Sequence, residues 1–534
     1  MTSHQVCSPF SEGPSPCQAT CAKGSFEHLA PLDLEILGVA DTPHHVHQSD
    51  FSCLPGAVGL EWAEALGHRH LFAPKVPSFT LLRFRQGEYG AEQKDDGSVE
   101  TGGLQQEMVR MDRALAELFP VSIHVVHGST VVRPSYRVAE PHWKGSIHVH
   151  PVPLKALTCD EAIGTLGKLV REIAPDLVHL HHPNNRLDSR FLTLLPPSIG
   201  LVASYHGAPP EKIDRAVLAS VKFSYLQKLS IRFSAHRESH SVPAAAYHTA
   251  LDACAYVSKI LLDRNYQRSG ITRKITSQVA KTGHGIYHAY NLSAVSRAGQ
   301  RAFEDLPSII MHPPGDATFF SRDLITENQM RDIREEIGSL DDRPILSYHA
   351  RISAMKGQAF LPQVIAQLKA IYSQPFSLVI VGPESESGAL QVLNREIQRF
   401  GVRDSVAVVG GRSQDFIRGL LGVSSVCVFP TFCEGLGLTA VEAQLMEVPV
   451  VAHKVGGVSD VVREGVTGRL IKPGDARGFA EAIAGLLDSP QLRSEYGSAG
   501  RQLMKRDFSP HGLAAYAMQR LYLPQLLNCG RAAL

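Results

Sequence analysis

Two glutamates eight residues apart, Glu434 and Glu442, lie in the stretch FPTFCEGLGLTAVEAQLMEVPVV, where an apolar run passes through Pro430 into a glycine-containing loop and then a helical pattern beginning near Leu438. The glycines of the loop Gly435–Thr439 let backbone N–H groups at the helix start face a ligand, and such an end attracts phosphate through its dipole. Glu442, one turn into the helix, is placed to accept hydrogen bonds from both hydroxyls of a ribose, and Glu434, on the loop, to reach a sugar beyond the phosphates. A local reading competes: Thr439-x-x-Glu442 is also a capping box that satisfies the helix start by itself.

A second constellation precedes it. The apolar run ILSYHA leads directly into Arg351, and Lys356-Gly357 follows five residues later at the start of the next helix. A departing nucleotide diphosphate gains negative charge, and a preorganised arginine and lysine are the residue types that stabilise it. Read singly, each is equally a solvated surface cation.

These residues need elements to hold them. From about Phe79 the chain alternates short apolar runs with amphipathic stretches, the pattern of a parallel sheet covered by helices, so the fold class is α/β. The runs predict strands at Phe79–Phe84, Val121–Val126, Ile147–His150, Leu177–Leu180, Leu201–Tyr205 and Ala255–Val257, with helices over Gln105–Leu118 and Asp160–Ile173. The alternation then repeats, with strands near Ile345–Tyr348, Leu378–Val381, Val406–Val409, Val426–Phe429, Val450–Ala452 and Gly468–Ile471, and helices starting near Gln358, Ala389, Ser413, Leu438, Val458 and Ala476. Two doubly wound domains follow one another, and the Pro-Pro-Gly run within His312–Arg322 marks the seam. A cleft is expected between them, with chemistry on the loops after each strand.

The division expected is a disordered tail over 1–30, an acceptor-binding domain over 31–322, a nucleotide-sugar-binding domain over 323–505, and a last helix over 506–534 returning to the first. Residues 31–77 fit the sheet least well and read as an added cap. The basic stretch Lys222–Arg237, with Val217, Val221, Leu229 and Phe233 at helical spacing, reads as a helix docked on the sheet, a membrane-surface helix being the alternative.

Composition narrows the classes. With 53 Lys+Arg against 52 Asp+Glu in 534 residues, no large electrostatic footprint for nucleic acid or an anionic membrane is required. Nine cysteines without metal-type spacing argue for idle thiols in a reducing, cytoplasmic compartment. Residues 1–30 lack the apolar core of a secretory signal, and no run is long enough to cross a bilayer. Histidines are frequent, at 25 copies, with candidate ligand spacing in His44, His45 and His47, in His179, His181 and His182, and in His284 and His288, yet the first cluster sits in a loop-like segment without cysteine or carboxylate companions.

Taken in order, Arg351/Lys356-Gly357, VIVGPES, the Glu434-to-Glu442 pair, PVVAHKVGG and EGVTGRLIKPGD resemble the second domain of the retaining family-four glycosyltransferases of GT-B fold. The first half adds ETGGLQQEMVRMDRALAEL, PDLVHLHH and LVASYHG, which resemble the sucrose-synthase and sucrose-phosphate-synthase branch, and HPPGDATFF resembles the family's interdomain segment. The likeness runs from about Phe79 to Arg501. It implies that Arg351 and Lys356 hold the donor diphosphate, Glu442 the ribose and Glu434 the donor sugar. Gly435, Gly437, Leu438 and Thr439 would line the phosphates, with Gly411 and Arg412 near the base. Gly102 and Gly103 would let the donor approach the backbone closely, and His206 would contact the donor sugar or polarise the reacting centre. Glu100 stands where aspartate is common and Leu104 where glutamine is usual, and KTGHGIYHAYNLSAVSRAGQ has no counterpart, which puts sucrose-type acceptors in doubt.

The function implied is retaining transfer of a hexosyl-type sugar from a UDP-, GDP- or ADP-sugar to a small hydroxyl acceptor: a sugar, a cyclitol or a secondary metabolite. No D-x-D motif occurs, so no metal and no cofactor beyond the nucleotide-sugar co-substrate are expected. A GT-B epimerase and a non-catalytic sugar-nucleotide sensor are the alternatives.

Overall fold

The computed structural model describes residues 76, 78–85, 92–93, 99–100, 103–129, 134–153, 160–181, 194–196, 198–205, 241–244, 246–247, 250, 285–289, 308–338, 343–432 and 434–528. The expected tail, the cap apart from Val76, the basic helix at 222–237, the strand Ala255–Val257, and the residues His44, His45, His47, His182, His284, Gly102 and His206 lie outside this set.

The first sheet has eight strands: β1 (Phe79–Arg85), β4 (Val121–Ser129), β5 (Tyr136–Val138), β6 (Ser146–Pro153), β7 (Leu177–His181), β8 (Gly200–Tyr205), β9 (Gly285–Ala289) and β10 (Ser308–Ile310). Two-residue strands β2 (Glu92–Gln93) and β3 (Val99–Glu100) pair separately. The order is β10-β9-β8-β7-β1-β4-β6-β5, parallel throughout except for the edge strand β5. Leu81 faces one side of this sheet, with Ile123, Val125 and helix α1 (Gly103–Leu118), while Leu82 and Phe84 face the other with helix α2 (Asp160–Ile173). Central strand β7 is buried at every position, its two histidines His179 and His181 included.

The second sheet is wholly parallel: β11 (Ile345–His349), β12 (Ser377–Val381), β13 (Val406–Gly410), β14 (Val426–Phe429), β15 (Val450–His453) and β16 (Gly468–Ile471), in the order β13-β12-β11-β14-β15-β16. Helices α3 (Glu327–Glu336) and α6 (Gln414–Val423) pack on the face carrying Ile345, Val379 and Val381. Helices α4 (Leu361–Ile371), α5 (Ala389–Arg399) and α9 (Ala476–Asp488) pack on the face of Leu346, Leu378 and Ile380. Helices α7 (Leu438–Leu445), α8 (Val458–Val461) and α10 (Pro490–Asp507) complete the unit. Cores of this size supply most of the stability, at about 1.5–3 kcal/mol for each large apolar side chain removed from water.

The chain crosses between the sheets twice. Residues 311–321 carry no regular structure, and there the Gly315 N–H donates to the Phe508 carbonyl at 2.8 Å while His312 stacks on the Phe508 ring. After Phe508 come helix α11 (Pro510–Ala517), a π-helical turn (Met518–Tyr522) and helix α12 (Leu523–Asn528). Leu513, Met518, Leu521 and Leu526 enter the core of the first sheet beside Met108, Met111 and Leu115. The seating is also polar. Tyr522 Oη accepts from Arg83 Nη2 at 2.9 Å and lies 3.0 Å from His179 Nδ1, and Arg83 Nε pairs with Asp112 at 2.8 Å, all of them buried. Burial pushes the Tyr522 phenol up to about 12, so it remains a hydroxyl.

Candidate functional site

Strand order in the second sheet reverses between β11 and β14, and in open α/β sheets ligands occupy the crevice at such a reversal. The loops leaving those two strands hold Arg351–Gly357 and Pro430–Gly437, the two constellations singled out in the sequence.

The first loop is tied down from below. Fully buried Tyr348 donates its phenol to the Lys356 carbonyl at 3.2 Å, and burial, the Glu434 carboxylate and Cys427 together hold that phenol well above its usual range. Gln358 reaches back to the Arg351 carbonyl at 2.7 Å, and the Phe432 N–H donates to the Met355 carbonyl at 2.9 Å. Gly357 permits this approach: its φ is +77°, and a Cβ there would stand 2.0 Å from the Pro430 carbonyl oxygen. Two 3-10 turns, Ala354–Lys356 and Gln358–Phe360, flank it, so the helix expected from Gln358 starts only at Leu361.

Held this way, Lys356 Nζ donates to Glu434 Oε2, both side chains part-buried, and the Gly435 N–H donates to Glu434 Oε1 at 3.2 Å. Arg351 begins the same loop with its guanidinium exposed and makes no ion pair among the described residues.

Helix α7 carries the other carboxylate. Its N-cap is Gly437, at φ +101°, with no side-chain cap, so the capping-box reading of Thr439 and Glu442 is incorrect. The helix begins at Leu438, one residue before Thr439, which places Thr439 inside the first turn, and its hydroxyl donates instead to the His349 carbonyl at 2.7 Å. The Ala440 N–H turns back to the Gly437 carbonyl at 2.9 Å, and with no side chain capping them the Leu438 and Thr439 N–H groups remain available to an anion. Glu442 is buried, and its Oε2 lies 2.9 Å from His349 Nε2. His349 was not among the residues singled out; a histidine ending an apolar strand reads as core.

The other expected residues lie further off. Gly411 and Arg412 follow β13, two strands away from β11 at the same sheet end, and Gly411 stands beside Pro383. The Arg412 guanidinium pairs with Glu336 at 3.0 Å and lies over the Phe416 ring. Gly103 opens helix α1. His179 and His181 stack on each other and bond to Ser204, Tyr522 and Arg83. Among the described residues there is no cluster of metal-ligating side chains and no helix long and apolar enough to cross a membrane.

Beneath the second loop, His453 is packed among Phe360, Phe432 and Phe479. Its Nδ1–H donates to the Thr431 carbonyl at 3.3 Å, its Nε2 accepts from the Gly474 N–H at 3.4 Å, and burial lowers its pKa to about 4. Cys427, on β14, is a buried thiol pushed up to about 12 by desolvation, which makes it a poor nucleophile.

Residues 329–503 match the family of glycosyl transferases group 1. The matched segment contains every element of the crevice just described. Among curated relatives, alpha-D-kanosaminyltransferase of Streptomyces kanamyceticus is 35% identical over 172 residues, 32% of this chain and 43% of that protein. D-inositol 3-phosphate glycosyltransferase 2 of Catenulispora acidiphila is 32% identical over 180 residues, 33% of this chain and 42% of that protein. The chain thus spans less than half the length of these relatives. Among solved structures, a glycosyltransferase from Rickettsia africae matches with TM-score 0.56 at 13% identity, over 85% of this chain and all of that one. Sucrose-phosphate synthase from Thermosynechococcus elongatus matches with TM-score 0.57 at 17% identity, over 84% and 100%. The two-sheet architecture is the GT-B fold. Sucrose-phosphate synthase is a neighbour in fold, whereas the curated relatives quoted above carry inositol-phosphate and kanosaminyl names.

Proposed function

We propose that this glycosyltransferase-like chain transfers a hexosyl-type sugar, with retention, from a UDP-, GDP- or ADP-sugar to a small hydroxyl acceptor. The observation that carries the reading is the crevice at the β11/β14 reversal, where Lys356 bridges to Glu434, Arg351 is exposed on the same loop, and Glu442 lies one turn into an uncapped helix. Lys356 pairs with Glu434 across the two loops. An arriving diphosphate draws Lys356 and Arg351 to itself and releases the Glu434 carboxylate to accept from the hydroxyls of the sugar. Glu442 then accepts from the ribose.

In the transition state the departing diphosphate gains charge against two preorganised cations, and on the retained face it takes the acceptor proton. Protein cations alone neutralise the diphosphate, so the reaction proceeds without a divalent metal. A sugar, a cyclitol or a secondary metabolite is the acceptor class, the cyclitol being in keeping with the name of the D-inositol 3-phosphate glycosyltransferase relative. The likeness of the first half to the sucrose-phosphate-synthase branch extends to the fold and leaves the acceptor unassigned.

The test is incubation of the protein with UDP-, GDP- and ADP-sugars, with and without candidate acceptors, in EDTA. Acceptor-dependent nucleotide release supports the reading. Isomerised donor without acceptor makes the protein an epimerase, and binding without either reaction makes it a sensor.

A further inference from the structure

His349 ends β11 with its side chain almost wholly enclosed, and the two nitrogens of its ring are treated differently. Nε2 faces Glu442 Oε2 at 2.9 Å, while Nδ1 is buried with no hydrogen-bond partner among the described residues. That asymmetry determines the tautomer. A proton on Nδ1 would leave a buried donor unsatisfied and turn the Nε2 lone pair against a carboxylate, whereas a proton on Nε2 makes a charge-assisted hydrogen bond.

The same residue is tied to α7 a second time, through the Thr439 hydroxyl on the His349 carbonyl at 2.7 Å. Thr439 and Glu442, three residues apart, share a helix face, so strand end and helix are joined at two points on that face. Glu442 Oε1 has no partner among the described residues. The carboxylate is therefore held by one oxygen and presents the other.

We propose that His349 is a positioning residue for ribose recognition: its Nε2–H locks the Glu442 carboxylate so that Oε1 meets the ribose hydroxyls of a nucleoside diphosphate, a role that rests on the donor site proposed above. An apolar side chain at position 349 would leave a buried carboxylate with no donor, free to rotate and poorly aimed. Binding through the phosphates would survive, and discrimination at the ribose would not.

The experiment measures calorimetric affinity for UDP, GDP and ADP, takes whichever binds the wild-type protein, and repeats the titration with its 2′-deoxy and 3′-deoxy counterparts. The wild-type protein is expected to prefer the ribonucleotide by about tenfold, the worth of one hydrogen bond to a charged group. His349→Leu is expected to reduce that ratio to about twofold, and His349→Gln, which keeps a donor, to restore most of it. His349→Met takes the place of the leucine variant if that does not fold. General damage to the domain lowers both affinities alike and preserves the ratio, so an unchanged ratio in folded His349→Leu or His349→Met overturns the proposal. Absence of a ribose preference in the wild-type protein overturns it as well. Failure of all three nucleotides to bind the wild-type protein refutes the donor-site reading itself.

Discussion

Gly357→Ala isolates what the close approach of two loops is worth. Alanine at φ +77° costs about 1–2 kcal/mol for the left-handed backbone alone. The new Cβ would also stand 2.0 Å from the Pro430 carbonyl oxygen, which is backbone and cannot rotate away. Restoring ordinary contact moves the loops apart by about 1.4 Å, enough to break a hydrogen bond such as Phe432 N–H to Met355 O, at 2.9 Å, or Tyr348 Oη to Lys356 O, at 3.2 Å. With about 1 kcal/mol for each bond lost, the substitution costs about 3–4 kcal/mol in all. Gly474 is the matched control: its φ is +84°, and nothing lies within 4 Å of a Cβ there, so Gly474→Ala should cost only the backbone strain of about 1–2 kcal/mol. Both tryptophans, Trp62 and Trp143, precede the second sheet, so urea unfolding is followed by far-ultraviolet circular dichroism. Nucleotide affinity is measured alongside, and it should fall on the order of tenfold in Gly357→Ala only, because Lys356 moves with the loop. Equal stability loss and equal affinity in the two variants would refute the reasoning.

Lys356→Ala removes the cation paired with Glu434 and should lower turnover on the order of a hundredfold in a folded protein, as measured by steady-state nucleotide release; near-normal turnover contradicts its role. Tyr522→Phe strips the hydroxyl that joins Arg83 and His179, and should destabilise the first domain by about 1–3 kcal/mol, read from tryptophan fluorescence in urea because Trp143 packs on that core. Acid should weaken the second domain through His453, whose folded pKa of about 4 lies below its ordinary 6.5. A lowered folded value means that the unfolded chain takes up the proton first. The stability is therefore complete above about pH 6.5 and is lost as pH falls toward 4, by at most about 3 kcal/mol, measured as the urea midpoint between pH 7.5 and 4.5. The stacked trio His124, His148 and His150 has all three pKa values lowered, with burial the largest cause, and should add an acid-sensitive step to the first domain over the same window. A flat midpoint across that range contradicts both.

The second sheet is legible in the amino-acid order because its strands are buried on both faces, and Val426–Phe429 is found with the very bounds its apolar run predicts. Edge strand β5 escaped notice for the opposite reason: Tyr136 and Arg137 are exposed, and three residues carry no period. The late start of α4 arises from Gly357, whose left-handed conformation separates two 3-10 turns where helical periodicity alone shows one continuous helix. Lys356, Glu434 and Glu442 were marked by residue type and order, and the topology brings their loops to one strand-order reversal. Two features of that site were illegible. Thr439-x-x-Glu442 satisfies a local rule for helix starts, but Gly437 opens the helix earlier and the tertiary partner His349 claims both side chains. His349 itself is recognisable only once β11 and α7 are side by side.

The seating of residues 513–526 in the core of the first sheet bears on the order in which the protein acquires its shape. Domains ordinarily fold as units while synthesis proceeds, the leading one first. Here the leading domain emerges from the ribosome with Met108, Met111, Leu115 and the Arg83 guanidinium lacking their cover, and the whole second unit is made before that cover arrives. The later domain, complete by Phe508, is thus the one equipped to settle first, and the earlier one closes over a segment made more than three hundred residues after β8.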